Sequence, residues 1–89
     1  MNVVEKMKSQ FSTIFDEDLN TEDTKILLKK YFKLYKNSVL DTANFSVVND
    51  ISKPENKTKL KDLEKTVELN SLKLILIFKI FQEEFVKST

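Results

Sequence analysis

Two carboxylate clusters, Asp16-Glu17-Asp18 and Glu83-Glu84, carry residue types suited to acid–base work or to holding Mg²⁺. Neither comes with a partnering base or a phosphate-binding loop, which such chemistry needs. Histidine and cysteine are both absent. That removes disulfides, thiol nucleophiles, the usual zinc ligand sets and the commonest general base at neutral pH. The expectation is a chain with no catalytic residues, no metal ligands and no cofactor, and so not an enzyme.

The basic residues suggest different chemistry. All fifteen are lysine, and the formal net charge is +1. Without arginine there are no bidentate forks onto phosphate or guanine, only point charges. The balanced charge gives no global pull toward nucleic acid or membrane. The densest basic stretch holds Lys53, Lys57, Lys59 and Lys61 against one acid, Glu55. These four form a locally basic segment that reads either as a solvated loop or, if the chain holds DNA, as the candidate DNA contacts through phosphate neutralisation. Lys25, Lys29, Lys33 and Lys36 instead read as a solvated helix face.

Glycine is absent and there is a single proline, which leaves little to build hairpin turns. The chain is 40% hydrophobic and 33% charged, the balance of a folding sequence. An all-α fold is therefore expected, organised as a single domain over residues 1–89. A first helix is predicted over about 2–15, where Val3, Val4, Met7, Phe11, Ile14 and Phe15 make an apolar stripe. A long central helix follows over about 21–50, N-capped by Asn20 or Thr21. On it Leu28, Tyr31, Phe32, Tyr35 and Val39 share one broad face.

From Leu40 onward Ala43, Phe45, Val47, Val48 and Ile51 point in nearly all directions, so this half asks for cover from several sides. Residues 50–58 read as the linker, with Pro54 disfavouring helix at Lys53. Asp62 reads as the N-cap of a third helix over about 62–69. After Asn70-Ser71, helix is predicted over about 71–86, either as a continuation of the third helix or as a separate C-terminal helix. Its apolar run, Leu72 to Phe81, is too short and too interrupted by lysine to span a membrane. The expected partner interface is Leu28, Phe32, Tyr35, Val39, Ala43, Val47 and Leu63. No apolar leader is visible among the first ten residues.

Short helix, long helix, short helix is the plan of the histone fold. Leu19-Asn20-Thr21-Glu22-Asp23 resembles the first loop of the centromere protein X family. Leu27-Leu28-Lys29-Lys30-Tyr31-Phe32-Lys33-Leu34-Tyr35, with Val39-Leu40 and Ala43, resembles that family's central helix. Leu60 with Asp62-Leu63-Glu64-Lys65 resembles its second loop and last histone helix. The resemblance covers roughly residues 11–72. The chain departs from it in its longer second loop, its missing arginine and its extra C-terminal helix.

The resemblance implies a histone-fold subunit that heterodimerises with a centromere protein S-like partner. Two such dimers form a heterotetramer that binds double-stranded DNA. It implies a DNA translocase of the Fanconi anaemia M type as a further partner. The setting would be DNA repair and the inner kinetochore, with nuclear localisation. The alternative from the residues themselves is a stand-alone helical bundle acting as a protein-binding module or inhibitor.

Overall fold

The computed structural model describes residues 2–88, with the side chains of residues 2–86. It is all-helical: α1 (Val3–Phe15), a 3-10 turn (Leu19–Thr21), α2 (Thr24–Val48) and α3 (Pro54–Ser88). α2 and α3 form a long antiparallel hairpin, and α1 packs across one end of it. We call that end the base and the α2–α3 turn the tip.

Local chemistry sets where each helix starts. The Asn2 side chain accepts from the Glu5 N–H at 2.8 Å, capping α1. Asp23 caps α2, its carboxylate accepting from the Ile26 N–H at 3.1 Å. The central helix is therefore Thr24–Val48, shorter than the 21–50 expected. Asn20 and Thr21 lie in the 3-10 turn that Asp18 caps. α1 ends at Asp16, which takes a left-handed conformation (φ 53°). Aspartate tolerates that region better than most residues.

The third helix differs most from expectation. The segments predicted over 62–69 and 71–86 are parts of one 35-residue helix beginning at Pro54. Proline suits a first helical position, since its missing N–H has no intrahelical acceptor anyway. Asp50 organises the turn before it. Its carboxylate accepts from the Ser52 N–H (3.0 Å) and hydroxyl (2.6 Å), and its carbonyl accepts from the Asn56 amide (2.8 Å). Asp62 is thus an interior residue and not an N-cap. Asn70-Ser71 does not break the helix, and the Asn70 amide donates to the Leu34 carbonyl across the hairpin (3.4 Å).

The core sits at the base. Phe15, Leu19, Leu27, Tyr31, Ile77 and Ile80 are buried, with Met7, Phe11, Leu28 and Leu74 packed against them. Polar groups close the same end. Buried Thr24 donates to the Glu84 carboxylate, tying the start of α2 to the end of α3. The Lys8 ammonium donates to the Glu22 carbonyl at 3.1 Å. Ser12 accepts from the Leu19 N–H at 2.9 Å, holding the 3-10 turn against α1. Glu17 accepts from both Lys30 and the Tyr31 hydroxyl.

The molecule is elongated, 52 × 23 × 18 Å. A 35-residue helix is about 52 Å long at 1.5 Å per residue, so α3 alone sets the long axis. The radius of gyration is 16.3 Å, against about 12 Å for a compact domain of this length.

Candidate partner-docking face

α1 covers only one side of the hairpin, and only near the base. The opposite side is bare along most of its length. On α2, at about 100° per residue, Leu28, Phe32, Tyr35, Val39 and Ala43 fall on the flank turned away from α1. Leu28 and Tyr35 are half-buried, whereas Phe32 is 54% exposed and Val39 38%. A groove along the α2–α3 seam is lined by Val39, Thr42 and Ala43 from one helix and Glu64, Val67 and Glu68 from the other. That groove fixes which flank of α3 neighbours Phe32 and Val39. Continued down α3, the same flank carries Ile75 and Phe78, 51% and 44% exposed.

The expected interface residues are therefore only partly gathered on one face. Leu28, Phe32, Tyr35, Val39 and Ala43 share it. Leu63 is half-buried and turned toward α2 within the hairpin. Val47 stands apart near the tip, 85% exposed. The cover that Leu40, Val47 and Val48 ask for does not come from this chain, since they are 56%, 85% and 72% exposed. Leu34 and Leu69 are exposed on the other side, above the level where α1 ends.

Ile75 and Phe78 lie outside the interface expected from the sequence. The apolar run containing them is visible in the sequence, but its register against α2 depends on where α3 begins. With a cap expected at Asp62 and continuity past Asn70-Ser71 open, the sequence does not fix the phase that aligns them with Phe32.

The four lysines near the tip are divided. Lys53, Lys57 and Lys61 are spaced by four, and the Lys57 N–H bonds the Lys53 carbonyl at 3.0 Å. That spacing places Lys57 and Lys61 on neighbouring turns of one face. Lys59 points elsewhere, its ammonium 5.5 Å from the Phe45 ring centroid on α2. Glu64 and Glu68 stand one to two turns beyond Lys61, so the basic stripe is short.

Of the carboxylates in the two acidic clusters, Glu17, Asp18 and Glu84 are engaged structurally. The Lys30 hydrogen bond, then that of Tyr31, holds the Glu17 carboxyl below its ordinary value of 4.5. Burial, then the Glu17 hydrogen bond, raises the Tyr31 phenol above its ordinary 10.0. Asp18 caps the 3-10 turn and Glu84 accepts from Thr24. Among the described residues, no cluster of three or more His, Cys, Asp or Glu is placed to hold a metal ion. Among them also, no helix is long and apolar enough to cross a membrane.

Comparison with protein-family models, with curated proteins and with solved structures finds no match to this chain.

Proposed function

We propose that this chain is a non-catalytic assembly subunit whose hairpin face is completed by another helical chain. The observation that carries this reading is its surface. The solvent-accessible area is 6389 Å², whereas a folded monomer of 10.4 kDa exposes about 5,400 Å². The surplus of roughly 1,000 Å² is the scale of one partner's share in a standard interface, about 800 Å². Phe32, Val39, Ile75 and Phe78 supply exposed apolar parts of it, of the kind that marks interaction sites.

The test is the mass of the full chain isolated under native conditions, by light scattering. The expected mass exceeds the 10.4 kDa of one chain. Phe32→Asp with Ile75→Asp should return it to one chain mass with helical circular dichroism unchanged. Both positions are exposed in the single chain, so the carboxylates are costly only when covered. A wild-type protein that stays at one chain mass at high concentration and from its native source overturns the reading.

A second reading adds DNA. It follows the resemblance to the centromere protein X family, with a centromere protein S-like chain as the partner and double-stranded DNA held by the complex. The alignment of Lys53, Lys57 and Lys61 favours it. The 35-residue α3 departs from the short third helix of the histone plan, which weighs against it. The assembled protein would then retain duplex DNA in a salt-sensitive way, and Lys57→Glu with Lys61→Glu would abolish retention. Retention unchanged by that pair of substitutions removes the tip from consideration as a DNA surface.

A further inference from the structure

The outer edge of the docking face is a single ridge on α3. Glu68, Leu72, Ile75 and Lys79 are spaced four, three and four residues apart. At 100° per residue they fall within a sector of about 60°. Leu72 is 48% exposed and Ile75 51%, and Glu68 and Lys79 are exposed beyond them. Among the described residues, neither the Glu68 nor the Lys79 side chain makes a hydrogen bond or ion pair; the one salt bridge is Lys30–Glu17.

This ridge has a symmetry that its parts do not require. Reversed end to end, its spacing is again four, three, four. Its apolar pair stays central, and its acid and base exchange ends. Two copies laid antiparallel would set Leu72 of each against Ile75 of the other. Glu68 of each would meet Lys79 of the other. A two-fold interface demands self-complementarity of this sort, in which residue i meets j and j meets i. The alternation of three and four is also the spacing at which one helix packs along another.

We propose that the occupant of the docking face is a second copy of this chain, related by a two-fold axis crossing α3 between Leu72 and Ile75. This rests on the assembly reading above and names its partner. Two arguments favour a copy over an unrelated helix. The charge pattern complements itself when inverted, so no outside partner is needed to neutralise Glu68 and Lys79. The surplus surface of roughly 1,000 Å² is what each copy contributes to an interface of standard size. Phe32 and Phe78 lie beside the ridge and would be covered by the flank of the opposing hairpin.

Light scattering with mass spectrometry of the full-length chain tests this. The expected species has twice the mass of one 10.4 kDa chain and contains only one kind of polypeptide. Glu68→Lys alone, and Lys79→Glu alone, should each weaken self-association by about tenfold or more, because each places like charges opposite one another twice. Combining Glu68→Lys with Lys79→Glu restores opposite charges and should recover the dimer. Since all four ridge residues are exposed, these variants keep the fold, which circular dichroism checks. A dimer insensitive to either single change, or one that the double change fails to restore, overturns the proposed ridge. A complex in which a different chain takes the place of the second copy overturns self-pairing but leaves the assembly reading intact. A protein that remains at one chain mass overturns both.

Discussion

The rings of Phe15 and Tyr31 meet edge to face, with centroids 5.0 Å apart and planes at 77°. Phe15 is the last residue of α1, and Tyr31 lies two turns into α2. The Lys73 ammonium of α3 sits 5.6 Å from the Phe15 ring centroid. All three helices therefore converge at this pair, which is the upper rim of the core. Beyond it the hairpin continues with only two helices, and the exposed apolar residues begin to accumulate.

Removing that rim should open the base. Phe15→Ala is expected to cost about 3–5 kcal/mol, as truncation of a buried aromatic does. Tyr31→Phe keeps the ring contact and loses only a hydrogen bond to a charged acceptor, about 1.5–3 kcal/mol. Urea denaturation followed by circular dichroism separates the two. A Phe15→Ala protein within 1 kcal/mol or so of wild type would show that α1 is not fastened here.

The Tyr31–Glu17–Lys30 cluster gives the fold a pH dependence of known sign. The folded Glu17 carboxyl is held low by Lys30 and then Tyr31. Its contribution is present above its ordinary 4.5 and is lost as pH falls through the depressed folded value. Tyr31 runs the other way, since burial and then Glu17 raise its folded value. Its contribution is present below its ordinary 10.0 and is lost only as pH rises through the raised value. The Glu17 side chain is 38% exposed, so water screens the pair with Lys30 to about 1 kcal/mol or less. The melting-temperature gap between wild type and Glu17→Gln should be steady across neutral pH and close on acidification below 4.5. A gap that persists unchanged to about pH 2 would place the effect outside Glu17 ionisation.

Ile75 and Ile77 are two residues apart and should answer oppositely. Ile77 is fully buried and Ile75 is 51% exposed. Ile77→Ala should destabilise the chain by about 2–5 kcal/mol. Ile75→Ala should change the stability of the separated chain by no more than about 0.5 kcal/mol, yet weaken assembly. Denaturation at low protein concentration reads the first effect, and the concentration dependence of the transition reads the second. If Ile75→Ala destabilises the chain at every concentration as much as Ile77→Ala does, the described face is interior.

The helical class and much of the apolar patterning were legible in the residues. A chain without glycine, with one proline and with apolar residues at helical spacing has few options besides helix. The face running through Leu28, Phe32, Tyr35 and Val39 follows from α2 alone, because 100° per residue fixes it. The caps were less legible. Asn20, Thr21 and Asp23 all have capping side chains, and Asp23 is the one whose carboxylate reaches an N–H of α2.

Tertiary structure decided the length of α3 and the fate of its apolar residues. Asn and Ser lower helix propensity by less than about 0.7 kcal/mol each, while α3 keeps its phase by burying Leu74, Ile77 and Ile80 against the other helices. Burial of one such side chain contributes about 1.5–3 kcal/mol, so packing outweighs the local signal at Asn70-Ser71. Which apolar residues stay bare depends on where α1 stops. Its last residue reaches only the level of Tyr31 and Lys73. Above that point, and on the side facing away from it, Phe32, Val39, Leu40, Val47 and Leu69 are apolar by sequence and exposed by geometry. Local spacing can say that a helix has an apolar face, but only the placement of its neighbours says which part of that face remains uncovered.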